Sequence, residues 1–226
     1  MPPRVSVIIP ALNEAESIGT VVRSMPWDTI AECIVVDNGS TDVTAEVARN
    51  TGGRIVNSPR GYGAACAAGA NAALATSDIL VFLDGDGSDD VSAMSRLVAP
   101  IERGDADFVV GSRMRGSAEK GALNAAQVFA AKLIGTLVKL LYGFRYTDMG
   151  PFRAIRRECL EAMLMREMTY GWNLEMQIKA LKMGLRVIEM PVDYRCRIGG
   201  ESKVSGNARA SLKAAIRILG VLTRVR

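Results

Sequence analysis

The stretch Ile79-Leu80-Val81-Phe82-Leu83-Asp84-Gly85-Asp86-Gly87 passes directly from a five-residue apolar run to two carboxylates separated by one glycine. A short continuous apolar run bounded by Asp and Gly reads as a strand buried on both faces, the kind that parallel sheets contain. Three further runs have the same form. Val5 to Ile9 is stopped by Pro10, Glu32 to Val36 leads into Asp37-Asn38-Gly39-Ser40, and Phe108 to Val110 leads into Gly111-Ser112-Arg113. Between the runs lie helical patterns near Glu16–Ser24, Val43–Asn50, Tyr62–Ala75 and Ser92–Ile101, with Thr41-Asp42 placed to cap the second. Strand–helix alternation predicts an α/β fold with a mostly parallel, Rossmann-like central sheet flanked by helices. Such sheets bind ligands beyond the carboxyl ends of their strands, so the polar clusters after the first, second and third strands share one edge.

The second half reads differently. Ala122 to Tyr142 is rich in Leu, Ala, Val and Ile but holds Lys132 and Lys139. Its length approaches a bilayer span, and two lysines inside a span are costly. The pattern predicts an amphipathic helix, packed on the core or lying at a membrane surface. Trp172 to Met183 predicts a helix ended by Gly184, and Arg186 to Met190 a strand before Pro191. Leu212, Ile216 and Leu219, beside Arg209, Lys213 and Arg217, predict a basic C-terminal amphipathic helix over 207–226 behind one domain over 1–206.

Composition narrows the chemistry. The 226 residues fit one compact domain, and 49% hydrophobic content supplies its core. The chain has no histidine, which excludes Ser-His-Asp and Cys-His catalysis and histidine-ligated metals. A metal must therefore sit on carboxylates, which favours Mg²⁺ or Mn²⁺. Cys33, Cys66, Cys159 and Cys196 form no C-x-x-C pair and fit a reducing, cytoplasmic setting. The apolar segment behind the N-terminus is too short for a signal peptide. From Arg195 to Arg226 eight Lys/Arg face one Glu within a chain of net charge +4. This basic end suits a phosphorylated ligand or an anionic lipid. Aromatic residues are too scarce, at 5%, and the charge too local for a nucleic-acid binder.

Asp84 and Asp86 flank one residue at a strand end, where a hard cation held between them can meet the two phosphates of a nucleotide diphosphate. A lone D-x-D is a weak signal, because Asp and Gly are common in turns. Here it follows Val5-Ser6-Val7-Ile8-Ile9-Pro10-Ala11-Leu12-Asn13-Glu14, then Val35-Val36-Asp37-Asn38-Gly39-Ser40-Thr41-Asp42, then Arg60-Gly61-Tyr62-Gly63-Ala64-Ala65. In this order the set resembles the family 2 glycosyltransferases with the GT-A fold. Gly111-Ser112-Arg113, Thr147-Asp148-Met149-Gly150-Pro151-Phe152-Arg153 and Arg197-Ile198-Gly199-Gly200-Glu201-Ser202-Lys203 resemble the branch of dolichyl-phosphate mannose synthases and polyprenyl-phosphate glucosyltransferases.

The resemblance implies roles position by position. Pro10, Leu12 and Glu14 match the loop that holds the nucleoside, and Val36, Asp37 and Asn38 the segment that meets the base. Asp84, Gly85 and Asp86 match the metal and ribose–phosphate motif, and Ser88 a third metal contact of some relatives. Arg113 matches an arginine near the transferred sugar. Arg197 and Lys203 match the basic pair of a loop that closes over the phosphates. The implied reaction is an inverting, in-line displacement that moves a hexose from a GDP-mannose- or UDP-glucose-type donor to a polyprenyl or dolichyl phosphate, by a peripheral protein on the cytoplasmic membrane face. A phosphate acceptor needs no general base; a hydroxyl acceptor does, and Asp148 is the residue available. Transfer to a hydroxyl in cell-envelope glycan synthesis, and a non-catalytic nucleotide-binding protein, stay open.

Overall fold

The structure, a computed structural model, describes residues 4–199 and Gly220. Among residues 4–199, seven strands and seven α-helices follow in order: β1 (Val5–Ala11), α1 (Ile18–Arg23), β2 (Glu32–Asp37), α2 (Thr44–Asn50), β3 (Arg54–Asn57), α3 (Tyr62–Ala72), β4 (Ile79–Phe82), α4 (Met94–Glu102), β5 (Phe108–Ser112), α5 (Ala125–Tyr142), β6 (Arg153–Arg156), α6 (Arg157–Met163), α7 (Trp172–Lys182) and β7 (Val187–Pro191). The strands form one sheet in the order β3-β2-β1-β4-β6-β5-β7. All pairings are parallel except those of β6, which runs against both β4 and β5.

Both sheet faces are covered, which is why the central strands β1, β2, β4 and β5 read as largely apolar runs rather than as alternations. Val5, Val7 and Ile9 point to one core shared with α1 and α4. Ile8, Ile34, Val36 and Phe82 point to the other, shared with α3, α5, α6 and α7. Gly69 lets α3 lie close on this second face: a Cβ there would come 2.4 Å from Ile8 Cγ2 and 2.9 Å from Val36 Cγ2.

Several expected boundaries shift. β1 does not stop at Pro10 but continues to Ala11. Its pairing with β4 ends at Ile8 while its pairing with β2 continues, so the proline falls where β1 has a partner on one side only. Asp42 is not an N-cap in place. Val43 precedes α2, and Asp42 Oδ1 instead accepts from the Thr44 N–H at 3.0 Å. The long apolar helix starts at Ala125, where Asn124 and Gln127 form a reciprocal capping box. The C-terminal helix expected over 207–226 lies outside the described residues.

The antiparallel strand positions the site. β4, β5 and β7 end at the same sheet edge as β1 and β2. β6 enters the sheet from that edge, so the segment from Thr147 to Phe152 arrives there too.

Candidate functional site

The loops after β1 and β2 brace each other. Asn13 adopts a left-handed backbone with φ 52°. Its N–H donates to Ser40 Oγ at 3.0 Å, and its side-chain oxygen accepts from the Thr41 N–H at 2.8 Å. The Glu14 N–H donates to Thr44 Oγ1 at 2.9 Å, and Asp37 Oδ1 accepts from the Ser40 N–H at 2.9 Å. Asn38 is buried and joins two segments. Its N–H donates to Ala11 O, and its side-chain oxygen accepts from the Gly61 N–H, both at 2.9 Å. Gly61 has φ +141°, and a Cβ there would meet Met168 O at 2.4 Å, so the glycine turn is held against the 167–168 backbone.

Leu12, Glu14, Asp37 and Asn38 thus come together around the edge. Pro10 is buried within β1. Val36 is fully buried in the second core, so its side chain does not face the edge. The Gly85 carbonyl accepts from Ser17 Oγ at 2.8 Å, which ties the D-x-D turn to the start of α1.

The acids after β4 are concentrated. Asp86 Oδ1 accepts from the Ser88 N–H at 2.9 Å, closing a turn through Gly87 at φ +78°. Asp89 Oδ2 accepts from the Asp84 N–H at 3.1 Å, while Asp89 Oδ1 is buried without a hydrogen-bond partner. Burial, and then the charges of Asp86 and Asp89, hold the Asp84 pKa well above the usual carboxylate range. Burial does the same to Asp89, with Asp86 adding to it. Asp89 is not among the residues expected from the sequence; its signal there is a third acid three residues beyond the D-x-D. Ser88 is buried, and its carbonyl accepts from the Arg195 N–H at 2.9 Å. Among the described residues no group of three or more acids or cysteines is arranged to hold a metal by itself.

Arg197 reaches this cluster from beyond β7. Its Nη2 lies 2.9 Å from Asp86 Oδ2 and 3.5 Å from Glu14 Oε1. The Ile198 N–H donates to Asp86 O at 3.0 Å, and the Ile198 side chain packs over Gly87. Its proposed companion Lys203 lies outside the described residues.

The third part is an ion pair beside the acids. Arg113 donates to Asp148 twice, from Nε to Oδ2 at 2.7 Å and from Nη2 to Oδ1 at 2.8 Å. The Arg113 backbone N–H adds a bond to Oδ2 at 2.9 Å, and the Met149 N–H one to Oδ1 at 2.7 Å. Asp148 is 1% exposed and its four acceptor positions are filled. Burial opposes the charge on Arg113, but Asp148 outweighs it and raises the guanidinium's pKa. Tyr194 carries the Arg113 guanidinium on its ring face, 4.9 Å from the centroid. Beneath this pair lies a residue that sequence reasoning quoted but gave no role. Arg153 is fully buried, and its guanidinium donates to the Gly150, Pro151 and Asn173 carbonyls.

This edge, with its acids, glycine turn and guanidinium groups, has counterparts among known proteins. Residues 6–164 match the family model described as Glycosyl transferase family 2. The chain belongs to that family. It is 38% identical over 218 residues to an uncharacterised glycosyltransferase of Mycobacterium tuberculosis, covering 94% of both chains. It is 31% identical over 221 residues to the polyprenol monophosphomannose synthase of Mycolicibacterium smegmatis, covering 90% of this chain and 82% of that one. Its fold matches the glucosyl-3-phosphoglycerate synthase of Mycobacterium tuberculosis, solved with Mn²⁺ and UDP-glucose, with a TM-score of 0.78 at 22% identity over 99% of this chain and 79% of that one. The expected GT-A architecture is therefore present. The family match ends within the segment after α6, so α7, β7 and Arg197 lie beyond it.

Proposed function

We propose that this glycosyltransferase moves a hexose from a nucleotide-sugar donor of the GDP-mannose or UDP-glucose type to a polyprenyl phosphate, with inversion, at the cytoplasmic face of a membrane. The observation that carries the reading is the concentration of Asp84, Asp86 and Asp89 at the sheet edge, facing Arg197 and flanked by the Arg113–Asp148 pair. The polyprenol-specific name of the Mycolicibacterium smegmatis relative supports the acceptor class.

A divalent cation fits the acids. Asp84 and Asp86 are hard oxygen donors, and Asp89 Oδ1 beside them is buried without a hydrogen-bond partner. Two carboxylates are too few for a closed cage, so a cation held by Asp84 and Asp86 would also need oxygen ligands from the donor or water. Mg²⁺ or Mn²⁺ bound there would neutralise charge on the departing nucleoside diphosphate. Leu12, Glu14 and Asp37 form the rim on which the nucleoside rests, and Val36 contributes through its backbone alone. Arg197, now paired with Asp86 and Glu14, gains the diphosphate as a partner when the donor arrives. Arg113 faces the transferred sugar, held in place by Asp148 and Tyr194. An acceptor phosphate oxygen attacks the anomeric carbon, the bond from that carbon to the diphosphate oxygen breaks, and the nucleoside diphosphate leaves with the electron pair.

The saturation of Asp148 favours a phosphate acceptor over a hydroxyl. A base must have an oxygen free for the proton, and both Asp148 oxygens are occupied by donors. Purified protein with Mn²⁺, GDP-mannose, UDP-glucose or UDP-N-acetylglucosamine, with and without polyprenyl phosphate, tests the reading. Nucleotide release that depends on polyprenyl phosphate and gives an inverted glycosyl phosphate is the expected result. Retention, or release stimulated only by hydroxyl acceptors, overturns it.

A further inference from the structure

Helix α5 is apolar on opposite sides. Ala131, Ile134, Gly135 and Val138 form its buried face. A Cβ at Gly135 would come 2.1 Å from Tyr146 O, so that face is fitted closely to the fold. On the far side Phe129 is 67% exposed, Leu133 46% and Leu140 77%, at spacings that place them in one stripe with Thr136. Thr136 spends its hydroxyl on the Lys132 carbonyl at 2.8 Å, leaving its methyl for the stripe. Lys132 and Lys139 are exposed along one border. From Ala122 to Arg145 the charged residues are Lys132, Lys139 and Arg145, without one acid.

We propose that this outer face of α5 seats the protein in the headgroup region of an anionic bilayer, with the helix lying in the surface rather than crossing it. The inference deepens the membrane reading above by naming the surface that makes contact. By length and apolarity α5 is the one candidate span among the described residues. Crossing would strip its inner face from the core that Gly135 and Val138 close. Lying flat keeps that packing, sinks the Phe129–Leu140 stripe, and lets the lysines extend to lipid phosphates.

Charge selects this occupant over another part or a second copy of this chain. The chain's own residues 200–226 carry six Lys/Arg and one Glu, so docking them here would set cation against cation. A second copy of the same face brings further lysines and no acid. The position also suits the reaction. From the end of α5 at Tyr142 to Asp148 the chain is six residues long, at most about 20 Å when extended. The end of the membrane-facing helix therefore lies within about 20 Å of Asp148, the residue that holds Arg113.

The test is sedimentation of the full chain with vesicles rich in phosphatidylglycerol and with vesicles of phosphatidylcholine alone. Wild type is expected to bind the first more tightly, and less so as salt rises. The double variant F129S/L140S is expected to weaken binding more than about tenfold, because two large side chains lose apolar burial. K132E/K139E is expected to remove most of the preference for the anionic vesicles, a loss of about tenfold or more. Both variants alter exposed side chains, and an unchanged melting temperature checks their folding. Wild-type-like vesicle binding by F129S/L140S overturns the proposal, and so does a wild-type dimer in solution that this variant converts to a monomer. Transfer to detergent-dispersed polyprenyl phosphate separates the two readings. F129S/L140S should keep that activity; if wild type binds vesicles yet lacks it, the acceptor assignment fails and the docking surface stands.

Discussion

Replacing Asp148 with Asn keeps the shape and removes the charge. Whichever way the new amide turns, its NH₂ faces two donors that now point at an oxygen: Arg113 Nη2 and the Met149 N–H on one side, or Arg113 Nε and the Arg113 N–H on the other. Arg113 is left charged at 14% exposure with no full counter-charge from this residue. Breaking one partner of a buried, hydrogen-bonded pair costs about 3–5 kcal/mol. A chain of this length unfolds with an entropy near 0.5 kcal/mol per kelvin, so the melting temperature should fall by about 6–10 °C. Differential scanning calorimetry of metal-free wild type and D148N measures it. The pair R113M/D148L should recover part of the loss, since two apolar residues leave no buried charge alone. A change in D148N below about 1 kcal/mol would show that water, rather than Asp148, solvates Arg113, and would remove the argument that Asp148 is a positioning residue.

Other outcomes follow from the same geometry. D86A is expected to cut metal-dependent turnover by about a thousandfold or more, with Mn²⁺ affinity in the presence of nucleoside diphosphate falling alongside; unchanged metal affinity would place the cation elsewhere. Asp107 is held down to about 2, chiefly by hydrogen bonds from Arg186, with Arg156 also nearby. A depressed carboxylate stabilises the fold above its unfolded pKa of about 3.9 and loses that contribution as pH falls toward 2. D107N should therefore be less stable than wild type at neutral pH, and the gap should close between about pH 4 and pH 2 in urea melts. G69A should drive α3 off Ile8 and Val36 and destabilise by about 1–3 kcal/mol, read as a lower urea midpoint at constant slope.

Legibility in the sequence followed burial. β1, β2, β4 and β5 announced themselves because both of their faces are covered, so their runs are apolar except for Ser6 and Glu32, which hydrogen-bond to each other at 2.6 Å. β3 is an edge strand, half-exposed from Arg54 to Asn57, and its pattern carries no such demand. β6 was hidden for a different reason. Only Ala154 and Ile155 are apolar in it, and Arg153 looks like a surface residue until main-chain carbonyls from the 150–151 segment and α7 surround it. The acids at 84 and 86 were legible not from the turn alone, which Asp and Gly commonly form, but because they follow the segments at 5–14, 35–42 and 60–65 in order. The side-chain position of Val36 was not, since one residue of register decides whether a strand residue meets the core or the cleft.

By itself the sequence determined the α/β class, the metal-compatible acids and the absence of histidine chemistry. Those properties depend on residue type and on local spacing. Tertiary structure alone decided that Asp89 joins the acid cluster, that Asp148 is spent on Arg113, that Arg197 returns to Asp86 across 111 residues, and that α5 shows a second apolar face outward. Each of these depends on which distant segments share an edge, and the reversal of β6 between β4 and β5 sets that.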